Sequence, residues 1–263
     1  LAIENQPVSL WQERVLREED QRALIHASIA LCRHGDPSLS HRILKKLNQI
    51  PFDSLAAEDQ LALLRAYSLC FVRLDQPAPA LINVVIGNLD PFFPADDEQV
   101  NTELCRVLSY LDAPQVVKKT ISLMKITQTR TLDYDKEMLS RHEYGKEILK
   151  TMANTPNSQN IQYAYSLRRV QNGWTLADRK YFFSWMNETL RKSGGKSFAG
   201  YMRAIREDAI QHLAPEVATS VSWLLGDIEG VDLSQLPTPK GPPVAWKTDK
   251  AMQHFEGELS GRD

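Results

Sequence analysis

Three stretches in the first half of the chain share one outline, and that outline restricts the fold more than any other feature. They read ALIHASIALCRHGDPSLSHRILKKL, LALLRAYSLCFVRLDQPAPALINVVIGNL and VNTELCRVLSYLDAPQVVKKTISLM. Each passes through a Leu-Cys pair to an Asp beside or near a Pro, then enters a second apolar run. The aspartates stand at 36, 75 and 112, steps of 39 and 37 residues. Self-similarity at a period of about 40 residues is the mark of stacked helix pairs. One pair cannot cover its own apolar face, so the next must do so. The expected fold class is all-α, an α-α superhelix of the HEAT or armadillo kind over residues 1–230.

The periodicity within each stretch is helical. Val100, Leu104, Val107, Leu108 and Leu111 fall on one stripe, as do Leu63, Tyr67, Cys70 and Leu74, and the partner helix carries Val117, Ile121 and Met124. Asp36 is placed to accept hydrogen bonds from the N–H groups that open the next helix, with Pro37 where a missing N–H does no harm. Asp75 with Pro77 and Asp112 with Pro114 are looser versions of the same break. The acidic run Asp96-Asp97-Glu98 falls at a helix start, where it complements the helix dipole.

The outline fades after residue 125. Residues 125–160 read as an irregular repeat or an insertion, with a helix around Lys136–Met152. Helical patterns return at Ile161–Val170, Leu176–Arg191, Phe198–Leu213 and Glu216–Leu225. Thr175 with Asp178 resembles a capping box, and Gly194-Gly195 is a helix stop. Past Gly230, Pro237, Pro239, Pro242 and Pro243 crowd together, so residues 231–263 read as a stiff linker followed by a short helix at Asp249–Leu259. A chain that begins at Leu1 and stops at Gly261-Arg262-Asp263 is expected to be a piece of a longer protein, cut before a further domain.

Chemistry is sparse. There is no Gly-rich phosphate loop, no His-Glu-x-x-His, no Gly-x-Ser-x-Gly and no Cys-x-x-Cys. The six histidines are scattered and read as surface or capping residues. Cys32, Cys70 and Cys105 are an odd count without close spacing, which argues against a disulfide framework and a metal knuckle. Each follows a Leu at the same place in its repeat, so all three read as small buried hydrophobes. No catalytic, cofactor-binding or metal-ligating residue is therefore assigned. The 31 basic and 33 acidic residues give a net charge of −2, which offers no general attraction to nucleic acid. Nothing approaches the roughly 18 consecutive apolar residues of a membrane span.

One window stands apart. Residues 165–208 hold nine basic and four acidic residues, a local charge of +5 in a chain of net −2. The same window carries Trp174, Tyr181, Phe182, Phe183, Trp185, Phe198 and Tyr201. Basic and aromatic side chains together can line a docking surface. The candidate contacts are Trp174, Arg179, Lys180, Trp185, Arg191, Lys196, Arg203 and Arg206. Ordinary packing gives the same pattern, with the aromatics in the core and the charges on solvated faces.

The string NGWTLADRKYFFSWMNETLRKSGGKSFAGYMRAIREDAIQHL resembles a helical region of large exported bacterial multidomain haem proteins. ALIHASIALCRHGD, QYAYSLRRVQNGWT and FEGELSGRD extend the likeness over most of the chain. Such proteins join a β-propeller resembling sugar or sorbosone dehydrogenases, a HEAT-like region and a C-terminal c-type cytochrome. The resemblance implies export to the periplasm or cell envelope. It also implies haem c in a downstream domain of the parent protein and none in this chain, which has no Cys-x-x-Cys-His. The function it implies is a non-catalytic scaffold that spaces or docks neighbouring domains of the same parent chain. The alternatives are a free-standing HEAT-repeat module for protein partners and, less favoured by the charge, a HEAT-like enzyme acting on nucleic acid.

Overall fold

Capping chemistry sets where the helices begin. In the computed structural model, which describes residues 6–126, 140–192 and 197–226, Asp20 accepts from Ala23 N and opens α2 (Gln21–His34). Asp97 accepts from Gln99 N and Val100 N and opens α6 (Glu98–Tyr110). Asn157 opens α9 (Ser158–Leu167), and Thr175 with Asp178 forms a reciprocal capping box at the head of α10 (Leu176–Leu190). The remaining helices are α1 (Gln12–Leu16), α3 (Ser40–Leu47), α4 (Ala57–Arg73), α5 (Pro79–Leu89), α7 (Val116–Ile126), α8 (Glu143–Asn154), α11 (Phe198–Gln211) and α12 (Pro215–Ser220). Among the described residues there is no strand. The fold is all-helical, and no described helix is long and apolar enough to cross a membrane. These residues belong to one compact unit, Leu1–Gly230; a second, Val231–Asp263, lies outside the described residues, and so do the proline-rich linker and terminal helix expected there and Gly194 and Gly195.

The helices pack in two rows. In one, α2 lies on α4, α4 on α6, α6 on α9 and α9 on α11; in the other, α3 lies on α5 and α7 on α10. The apolar stripes meet between them: Leu63, Tyr67, Cys70, Val100, Leu104, Val107, Leu108, Val117, Ile121 and Met124 are all buried, and Leu111 is partly so. Hydrogen bonds link equivalent places in successive helices. Arg73 Nη2 donates to Arg33 O and Asn88 Nδ2 to Asn48 O, each pair 40 residues apart, and Tyr110 Oη donates to Phe71 O, 39 apart. Between α6 and α9 the step is longer. Gln159 Nε2 donates to Thr102 Oγ1 across 57 residues, and Gln171 N and Asn172 N reach Asp112 across 59 and 60. The chain between α7 and α9, which includes α8, is the source of that extra length.

The turns depart from the sequence expectation in an informative way. Asp36 does cap, accepting from Ser38 N at 2.9 Å, but what it opens is a single 3₁₀ turn, Pro37–Leu39, before α3. Asp75 caps nothing; its backbone N–H donates to Pro37 O at 3.1 Å, and α5 begins four residues later. Asp112 adopts a positive φ of 51° and turns its carboxylate away from its own following helix. There it accepts from Gln171 N at 3.2 Å, Asn172 N at 3.1 Å and Asn172 Nδ2. Gln171 Nε2 in turn donates to His212 O at 3.3 Å. The turns thus tie to one another along one edge of the rows.

Two further boundaries differ. The helix expected around Lys136–Met152 is seen as α8, with 136–139 outside the described residues. The helix expected over Glu216–Leu225 ends at Ser220 and gives way to a 3₁₀ turn, Ser222–Leu224. Thr219 Oγ1 and Ser220 Oγ donate back to Pro215 O and Glu216 O, a pattern that weakens a helix at its polar, β-branched residues.

Candidate interaction surface

The basic-aromatic window is assembled by a close turn. Gly173 has φ +78°, and a Cβ there would lie 2.7 Å from Pro114 O, so only glycine lets the turn after α9 seat on the turn after α6. That seat fixes Trp174. Its indole Nε1 donates to Val170 O at 2.9 Å and its ring stands 5.2 Å from Phe182. Arg179, in the first turns of α10, lays its guanidinium 3.8 Å over the same indole.

Arg179 is only 6% exposed. Its Nη2 makes a long 3.4 Å bond to Val170 O, and its Nε is buried with no partner. No carboxylate pairs with it among the described residues, and burial draws its pKa down to about 10. Arg206 is also buried but fully engaged. Its Nε donates to Asn187 Oδ1 at 3.1 Å, and its Nη2 donates to Leu224 O and Gly226 O at 2.8 Å. Asn187 Nδ2 donates to the same Leu224 carbonyl at 3.0 Å. This knot fastens α11 and α10 to the turn that follows α12.

The other candidates are distributed differently. Lys180, Arg191 and Arg203 are exposed, while Trp174 and Trp185 are half-buried against the core. Lys196 lies outside the described residues. Of the eight, three cations and the outer edges of two indoles meet solvent, and two guanidinium groups are spent inside the fold.

A second aromatic-guanidinium cluster lies outside the contacts expected from sequence. Tyr165 on α9 and Tyr201 on α11 stack at 6.2 Å, 37% and 42% exposed, with the Arg168 guanidinium 3.7 Å over the Tyr165 ring. Arg168 Nε and Arg169 Nε both reach Asp208 Oδ2 at 2.7 Å. Those two cations, Arg169 foremost, hold the Asp208 carboxyl below its ordinary value, and Asp208 offsets part of the local positive charge. Phe71 and Tyr110 form a similar pair at 5.9 Å, with Tyr110 62% exposed. The signal is present in the sequence: 71 to 110 is 39 residues and 165 to 201 is 36, close to the steps of the aspartates.

Such a surface can hold a partner by stacking, cation–π contact and ion pairing. His26, His34, His41 and His142 are exposed, His212 Nδ1 lies 2.7 Å from Asp208 O, and His254 falls outside the described residues. Among the described residues no three His, Cys, Asp or Glu side chains gather into a metal-binding group. The chain matches no protein-family model, no curated protein and no solved structure.

Proposed function

We propose that this chain is a HEAT-like solenoid of stacked helix pairs that serves as a non-catalytic scaffold, spacing and docking the domains of a larger exported c-type haem protein. The observation that carries the reading is the pair of helix rows with hydrogen bonds recurring at steps near 40 residues. Repeats that bond only to their neighbours form an extended platform rather than an enclosed pocket. The segment between α7 and α9 is then an insertion within the array. All three cysteines are buried, so covalent haem attachment falls to another region of the parent chain. Lys180, Arg191 and Arg203, with the exposed edges of Trp174 and Trp185, form the face assigned to the cytochrome.

The test is binding of the separately produced cytochrome domain to this chain. Wild type is expected to bind and to weaken as salt rises. Reversing Lys180, Arg191 and Arg203 to glutamate is expected to reduce affinity at least about tenfold. Equal binding by the reversed protein overturns the surface assignment, and no binding by either overturns the docking role.

A free-standing protein-interaction module is the second reading, favoured by α5. That helix carries no charged residue and buries only Val85 and Leu89. Leu81 and Val84 instead line a groove with His41 and Lys45 of α3. If an apolar, acidic peptide rather than the cytochrome competes for this chain, the second reading stands in place of the first.

A further inference from the structure

Two nucleophilic side chains meet at the interface of α2 and α4. Cys32 and Cys70 hold matching places in successive helices, 38 residues apart, and their Sγ atoms lie 3.2 Å from one another. Both are buried, at 2% and 0% exposure. A disulfide places its sulfurs about 2.0 Å apart, so closing the pair requires a shift of roughly one ångström. Cys105 provides the contrast. It is just as buried and follows a Leu in the same way, yet its sulfur faces hydroxyls, Thr120 Oγ1 at 3.4 Å and Ser109 Oγ at 3.8 Å. The shared position in the repeat does not produce the pairing; the 38-residue register between α2 and α4 does.

We propose that Cys32 and Cys70 are a modification site, oxidised to a disulfide that staples the first long helix of the array to the second. The oxidant is a disulfide-bearing thiol carrier. When the interface opens, or before α4 has settled on α2, the Cys32 thiolate attacks one oxidant sulfur. A protein–oxidant S–S bond forms, the oxidant's own S–S bond breaks, and one thiol leaves with the proton that Cys32 gave up. Cys70 then attacks Cys32 Sγ and displaces the second thiol. The protein loses two electrons and two protons, and the oxidant disulfide gains both. Within the closed interface the hydrogen bond to Cys32, and then burial, hold the Cys70 thiol above its ordinary value. That is why opening comes before attack, and the same exchange balances with the two cysteines interchanged.

The test uses the full 263-residue chain. It is refolded from urea with oxidised glutathione, quenched with an alkylating reagent and mapped by mass spectrometry. The expected product is a monomer lighter by two hydrogens, with a Cys32–Cys70 cross-linked peptide and with Cys105 alkylated. Its thermal midpoint is expected to lie on the order of 10 °C above that of the reduced chain and to fall back when reductant is added. Cys105→Ser is expected to give the same cross-link, and Cys32→Ser to leave Cys70 open to alkylation. Alkylation of all three thiols, a cross-link to Cys105, or dimers joined through these cysteines would each overturn the proposal.

Discussion

The early helices α2–α7 and the late helices α9–α11 lie on their neighbours in a similar way but are built from different materials. Among the early helices the interior is mostly aliphatic, with Leu31, Ile43, Leu44, Leu64 and Leu104 fully enclosed beside Tyr67, Phe93 and the three thiols, and the arginines stay at the surface. Among the late helices a pair of guanidinium groups goes inside, and Arg206 alone reaches three acceptors on two other elements. The lesson is that similar helix-on-helix packing does not specify what fastens it. Among the early helices the ties to backbone carbonyls, Arg73 to Arg33 O and Asn88 to Asn48 O, come from residues outside the buried core. Toward the end of the described residues, where the last helix is the short α12, the tie to Leu224 O and Gly226 O comes instead from a buried guanidinium.

The sharpest break of that comparison is Arg206→Met. It keeps the bulk but strands Gly226 O and Asn187 Oδ1 and leaves Leu224 O with Asn187 Nδ2 alone, and it is expected to cost about 3 kcal/mol in urea unfolding. A loss below about 1 kcal/mol would mean that the knot fastens nothing. A smaller effect is expected at Asp208. Its folded pKa is depressed, so its contribution is present above the ordinary carboxylate range and disappears as pH falls through the folded value. Asp208→Asn should therefore lower stability near neutral pH by under about 1 kcal/mol, with the difference from wild type vanishing in acid. A gap that persists at about pH 2 would trace the loss to packing rather than charge. Least of all is expected from Arg179→Met. An unpaired buried guanidinium carries a desolvation cost that its cation–π contact only partly offsets, so stability should stay within about 1 kcal/mol of wild type, on the favourable side. A large loss there would show that the two buried arginines work alike after all.

What the sequence makes legible is whatever repeats locally. The apolar stripes, the burial of the three cysteines, the helix start at Asp96-Asp97-Glu98 and the Thr175–Asp178 box all depend on residues within a few turns of one another, and local pattern exposes them. Sequence alone puts Arg179 and Arg206 on a surface because guanidinium groups ordinarily stay there. Their burial depends on Val170 in one case and on Leu224 and Gly226 in the other, acceptors that no local pattern advertises. Cys32 and Cys70 are far apart in sequence, and their meeting follows from helix register. A sound capping rule assigns Asp112 to its own turn, but its positive φ delivers the carboxylate to a different one.

That last feature bears on how such an array is divided into pieces. Asp112 lies in the turn between α6 and α7, yet its side chain completes a different turn, at Gln171 and Asn172. The helix pair is therefore not the smallest piece that can be moved. A graft or deletion cut at the turn after α6 separates a carboxylate from the amides it serves, and leaves a left-handed aspartate with nothing to hold it. A cut in the stretch between α7 and α9 parts the same groups, so an exchangeable module runs through that stretch and keeps residue 112 in the company of residues 171–173.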